Sequence, residues 1–215
     1  MKLNTGIAII IFILIQSNFA MAASIGERVV SGRITLRQAA LRVIPQRPLD
    51  LAFYYLDNNA RAFLNKNYLT VIDYRLPSNR KRMFVLNLRT GAVESLLVAH
   101  GKGSDPNQTG VLQNFSNEPN SLASSMGIYR VAETYNGEHG YSVRLDGLQA
   151  TNSNARARTL VIHGADYVNP NRRTMGRSWG CPAIELSRVR SVVDALKGGS
   201  LLFVYGSQFE SLIRK

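Results

Sequence analysis

From residue 68 onward the chain breaks into short runs of β-forming residues separated by turn-forming ones. The runs are 68–74 (YLTVIDY), 83–88 (MFVLNL), 93–99, 128–134, 141–145, 160–162 and 201–205. Each is rich in Val, Ile, Leu, Tyr and Phe, and none is long enough to stand alone. Strands this short must pair across distant parts of the chain, which brings remote loops side by side. The spacing therefore predicts a mostly-β, α+β domain, a β-sandwich or barrel-like arrangement with flanking helices, over residues 66–207. Residues 89–92 (RTGA) read as a hairpin turn, and Arg80-Lys81-Arg82 as a solvated connection. Residues 101–124 form a loop rich in Gly, Ser and Asn. A structureless connection of that length inside a compact domain is usually functional.

Helical rhythm appears on both sides of the strands. In residues 34–43, Leu36, Ala39, Ala40 and Val43 fall on one face. Pro45 and Pro48 are expected to end that helix, with Asp50 capping a second over 51–64 that buries Phe53, Leu56, Ala60 and Leu64. Residues 23–65 thus form an N-terminal helical segment, packed on the main domain or leading into it. Near the other end, residues 185–197 read as a helix with Val189, Val192, Val193 and Leu196 inward, stopped by Gly198-Gly199. Residues 208–215 are a short tail.

Residues 1–22 have the form of a secretory signal peptide. Lys2 gives the positive start, GIAIIIFILI the apolar core, and Ala20-Met21-Ala22 the small-x-small cleavage pattern. The apolar core is about ten residues, short of the ~20 that span a bilayer. After cleavage no stable membrane insertion is expected. Export places the protein in the periplasm, the cell envelope or outside the cell. There, 26 basic against 14 acidic residues, a formal charge of +12, suit an anionic polymer. Basic residues are scattered and do not alternate with aromatic platforms, so nucleic acid is not the expected partner.

Export also changes the meaning of the one cysteine. Cys181 has no internal partner for a disulfide, so it is an inert buried thiol, an intermolecular link or a reactive group. Its neighbourhood favours reactivity. An apolar strand, Leu160-Val161-Ile162, ends in His163-Gly164. A glycine-bracketed turn, Gly176-Arg177-Ser178-Trp179-Gly180, then presents Cys181 before Pro182. The thiolate is the nucleophile, and a thiol with pKa of about 8.5 is little ionised at neutral pH. A histidine in reach takes the proton; a helix N-terminus beside the sulfur would stabilise the charge. Gly180 permits a sharp turn, and the amides of Gly180 and Cys181 could face a developing oxyanion.

At this point the sequence resembles the murein L,D-transpeptidase catalytic domain family. Members carry His-Gly followed by Ser-x-Gly-Cys, here His163-Gly164 and Ser178-Trp179-Gly180-Cys181. The resemblance is greatest to a branch with an Arg-Ser-Trp-Gly-Cys-Pro-Ala core, here residues 177–183. That branch also has segments like 98–104 (VAHGKGS), 115–117 (FSN) and 124–129 (SSMGIY). It implies an L,D-transpeptidase-type β-rich fold with the thiol in a groove and an acyl-enzyme mechanism on peptidoglycan stem peptides. Carried over, Cys181 is the nucleophile and His163 the base, while Gly164 and Ser178 shape the pocket or orient the imidazole. Carbapenem inhibition is a further implication. This chain departs from the commonest pattern at Trp179, where many members have His, and at Pro182-Ala183. Arg177, or Arg172 or Arg173, is therefore an expected holder of a substrate carboxylate. A cysteine hydrolase acting as L,D-carboxypeptidase or amidase on the same substrates, and a non-catalytic cell-wall binding protein, are the other readings.

His100 ends a strand and is a candidate for the groove, with Tyr129 as a substrate contact. Tyr167 reads as packing, Trp179 as pocket wall, His139 as a turn residue and Asp166 as a candidate orienter of His163. There is no metal-ligand motif, phosphate loop or dinucleotide fingerprint, so no metal or cofactor is expected.

Overall fold

The computed structural model describes residues 24–213. The expected signal peptide, residues 1–22, lies outside the described residues. The N-terminal segment begins with a small hairpin, β1 (Val29–Ser31) and β2 (Ile34–Thr35). Helix α1 (Leu36–Ala40) follows, then α2 (Gln46–Asn58). Thr35 and Gln38 close α1 with a reciprocal capping box. The prolines act differently from the expectation that they end a helix. Pro45 is the N-cap of α2 and Pro48 lies in its first turn. A missing N–H costs nothing there, because the first-turn amides have no intrahelical acceptor. Asp50 is not a cap either: it takes a two-pronged bond from Arg37, Nε to Oδ1 at 2.7 Å and Nη2 to Oδ2 at 2.8 Å, which ties α1 to α2. Leu64, expected to be inward, is exposed because α2 ends at Asn58.

The main body is one nine-stranded sheet. Its strands are β3 (Tyr68–Asp73), β4 (Met83–Asn87), β5 (Val93–Leu96), β6 (Val98–Ala99), β7 (Gly127–Gly137), β8 (Gly140–Gly147), β9 (Val161–Ala165), β10 (Ala183–Glu185) and β11 (Ser200–Tyr205). They are ordered β5-β4-β3-β11-β7-β8-β9-β10-β6. The edge strands β5 and β6 are neighbours in the chain, separated by Leu97 alone. The sheet must therefore curl until its edges meet, giving a nearly closed, barrel-like body and a mostly-β fold with some helices.

Arg82 secures that closure. It was expected to be solvated, but it is fully buried. Its Nε and Nη2 donate to Val98 O at 3.0 and 2.8 Å, and its Nη1 donates to Leu76 O at 2.8 Å. Satisfied donors are what let a guanidinium leave water.

The core follows from the apolar alternation. Every residue of β11 is buried, and the strand lies parallel to β3 and antiparallel to β7. Phe203 and Tyr205 from β11 and Leu69, Val71 and Ile72 from β3 share one core with Leu49, Ala52, Phe53 and Leu56 of α2. The N-terminal helices are thus packed on the barrel. Truncating a core ring such as Phe203 to Ala would cost about 3–5 kcal/mol.

The third expected helix, over 185–197, starts late. Ala183–Glu185 is strand β10, and α3 runs over Val189–Leu196. Two apolar residues beside β9 and β6 gain more from sheet pairing than from a helix turn. α3 ends as expected, with Gly198 and Gly199 both at positive φ, and a short helix α4 (Phe209–Ile213) follows β11.

Candidate active site

The site is set by register. β9 and β10 run parallel with His163 opposite Ala183. Side chains on adjacent, in-register strands share a face, and Cys181 lies two residues before Ala183. The parallel pairing thereby carries the cysteine turn to the His163 face of the sheet. Both residues line one open cavity of about 590 Å³. Leu122, Tyr135, His139, Arg158, Tyr167 and Trp179 complete much of its wall.

Three chain segments converge on the turn before Cys181. Gly180 has φ +123°, and a Cβ there would sit 2.7 Å from Ala123 O and 3.0 Å from Arg158 Nη2. A Cβ on Gly101 would sit 2.8 Å from Gly180 Cα. Only glycine fits at either position. Ser124 Oγ accepts from Gly101 N–H at 3.0 Å and donates to Gly180 O at 3.2 Å, so the long 101–124 loop buttresses the turn. Ser178 Oγ accepts from Gly180 N–H at 3.1 Å and donates to Cys181 O at 2.6 Å. The Gly180 amide is therefore engaged inside the turn and does not stand free for an oxyanion. The helix N-terminus that would have helped the thiolate is not beside the sulfur: the residues after Cys181 enter β10, and α3 starts only at Val189.

Electrostatics define the resting state. His163 is buried, and its Nδ1 lies 3.1 Å from Gly164 O. A carbonyl only accepts, so Nδ1 carries the proton and Nε2 is left as the basic nitrogen. Burial lowers the His163 pKa to about 4; the neighbouring His139 also lowers it, while the Gly164 carbonyl opposes both. Burial pushes the Cys181 thiol up, opposed by the Val161 amide and the Arg158 guanidinium. The thiol donates to Thr159 O at 3.9 Å. At neutral pH the thiol and the imidazole are both neutral. A neutral imidazole within hydrogen-bond reach takes a thiol proton when an electrophile arrives.

The other expected site residues divide. Trp179 is 72% exposed on the cavity wall, with Lys102 Nζ 5.5 Å from its ring centre. Arg177 also lines the cavity, and its Nη1 is anchored on the carbonyls of Asp105 and Lys102. Gly164 is buried in β9. His100 is corrected. It is buried, its Nδ1 takes a bond from Arg82 Nη2 at 2.8 Å, and its Nε2 lies 3.4 Å from Asp105 Oδ2. It braces the 101–124 loop from inside instead of lining the groove. Tyr129 is likewise corrected: it is 2% exposed, with its hydroxyl held by Ser125. Tyr167, read as packing, is the tyrosine that lines the cavity. Arg172, Arg173 and Asp166 are exposed and are not among its lining residues.

Sequence reasoning missed two features. His139, at the tip of the β7–β8 hairpin, stacks on His163 with ring centres 4.3 Å apart and planes 21° apart. Asn120, Leu122 and Thr159, all on the wall, have φ of 61°, 55° and 52°, a left-handed backbone unfavourable for Leu and Thr. Strain of this kind concentrates at functional sites. Neither feature has a local sequence signal: the ring stack depends on strand pairing, and residue type does not mark Leu or Thr as left-handed. Among the described residues no three His, Cys, Asp or Glu side chains converge as a metal site.

The chain was compared with family models, curated proteins and solved structures. A family model described as the L,D-transpeptidase catalytic domain matches residues 42–205. No curated protein matches the chain. Solved structures that do include an L,D-transpeptidase from Mycobacterium smegmatis, 12% identical, covering 65% of this chain and 58% of that one at a TM-score of 0.41. Another is an L,D-transpeptidase from Xylanimonas cellulosilytica, 15% identical, covering 79% of this chain and 77% of that one at a TM-score of 0.40. A third is an LD transpeptidase in complex with imipenem, 12% identical, covering 65% of this chain and 59% of that one at a TM-score of 0.40. This chain spans less than two thirds of the length of the mycobacterial protein.

Proposed function

The chain belongs to the L,D-transpeptidase catalytic domain family, and we propose that it acts as an exported cysteine L,D-transpeptidase on peptidoglycan stem peptides. The observation that carries the proposal is the shared cavity, which Cys181 and His163 both line, with His163 Nδ1 engaged on Gly164 O so that Nε2 is the basic nitrogen. The formal charge of +12 suits an anionic cell envelope.

In this reading, Cys181 Sγ attacks the carbonyl of an L-centre preceding a D-residue, and His163 Nε2 takes the thiol proton. The tetrahedral intermediate collapses, the C–N bond breaks, and the imidazolium returns its proton to the departing amine. A thioester on Cys181 remains. The amine of a second stem peptide then attacks it and gives a proton to His163 Nε2, the C–S bond breaks, and the imidazolium returns that proton to the departing sulfur, restoring the thiol. Arg177, with Nη1 anchored and its fork on the cavity wall, holds a substrate carboxylate. Trp179 supplies an apolar wall beside the sulfur. If water replaces the second amine, the same site is an L,D-carboxypeptidase.

Incubation with purified disaccharide-tetrapeptide, followed by mass analysis, tests this. Cross-linked dimers support transpeptidation, and tripeptide alone supports hydrolysis. Absence of both at every enzyme concentration contradicts the enzymatic reading and leaves a binding protein.

A further inference from the structure

His163 lacks the carboxylate that commonly orients a catalytic imidazole. Among the described residues, its one hydrogen bond goes to the carbonyl of the next residue, Gly164. That bond selects the tautomer but leaves the ring free to tilt about the Nδ1–O axis. The face of the ring is held by something else. The β7–β8 hairpin reaches over the cavity, and at its tip His139 lies 4.3 Å above His163, nearly parallel at 21°. The tip is tight: Gly137 pairs with Gly140, and Gly140 has φ +71°. His139 is otherwise exposed, so no core packing explains a ring at this point.

We propose that His139 is a positioning residue: its ring clamps the face of His163 and keeps Nε2 aimed at the sulfur. The clamp belongs to the transpeptidase reading given above and deepens it. Its physical value is geometric. A base displaced by about 1 Å from its productive position loses up to about a hundredfold in rate. Stacking rests on the flat face of the ring and needs no proton on His139; the charge by which His139 lowers the His163 pKa is a separate effect that His139→Phe removes. A flat apolar ring should therefore serve in its place.

The test compares His139→Ala and His139→Phe with the unsubstituted protein on disaccharide-tetrapeptide. Loss of the clamp should lower kcat of His139→Ala between about tenfold and a hundredfold, while KM moves by less than about threefold, because His139 holds the base and not the substrate. His139→Phe should recover most of kcat. The rate of Cys181 alkylation by iodoacetamide should follow the same order, and it needs no peptidoglycan substrate. Equal kcat and equal alkylation in His139→Ala would overturn the clamp, and so would His139→Phe being as impaired as His139→Ala. An unsubstituted protein with no turnover overturns the transpeptidase reading instead, and the alkylation series then decides the clamp by itself.

Discussion

The hydroxyl of Ser178 donates to the carbonyl of Cys181 at 2.6 Å, and the same oxygen accepts from the Gly180 amide at 3.1 Å. One buried side chain thus closes the turn on both sides of the residue before the sulfur. Ser178→Ala leaves the buried Gly180 amide and the part-buried Cys181 carbonyl without this partner, a cost of about 1–3 kcal/mol. Urea unfolding should show a loss in that range, and turnover should fall by more than the loss of folded protein explains. A variant with unchanged turnover would remove the turn from the account.

Stability should fall as pH drops from about 6.5 toward 4. Burial lowers the pKa of both His100 and His163 to about 4. The unfolded chain binds their protons near pH 6.5 and the folded chain does not, so protons drain the folded state between these values. Above 6.5 the contribution is complete. Each histidine is worth about 3 kcal/mol over that window. Glu133, held at about 2 by its hydrogen bonds to Arg156, acts at lower pH. Thermal melts from pH 8 to 4 should show the decline, and His100→Gln should flatten it. A flat profile through this range would contradict the burial of the neutral rings.

The fold class, most strands and the placement of Cys181 and His163 on one cavity were legible in the sequence because they rest on local signals. Short β-rich runs, a strand ending in His-Gly and a glycine turn each carry their message within a few residues. What was not legible depends on distant partners. Arg82 looked solvated because the acceptor that takes two of its donors, Val98 O on β6, meets it only in the folded barrel. His100 looked like a groove residue because strand ends usually face out, yet Arg82 and Asp105 hold it inside. The stretch after Cys181 looked helical because Val189, Val192 and Val193 are spaced for a helix. β9 and β6 claim Ala183 and Ile184 first.

The resting pair is neutral, and that has a kinetic signature. The Cys181 thiol lies above its ordinary range and His163 below its own. Alkylation by iodoacetamide should rise with pH through the alkaline range, with its midpoint above that of a free thiol. Substitution of Arg158, whose charge favours the thiolate, by Gln should move that midpoint higher still. A rate that is constant from pH 5 to 8 would instead mark a preformed thiolate–imidazolium pair.

The most direct measurement is intact-protein mass after acid quenching of the protein with disaccharide-tetrapeptide and no added acceptor. The expected result is an added mass equal to the acyl portion after loss of the terminal D-residue. Peptide mapping should place it on Cys181, and Cys181→Ala should lack it. Turnover in the unsubstituted protein with no adduct on Cys181, or turnover surviving in Cys181→Ala, would contradict the account.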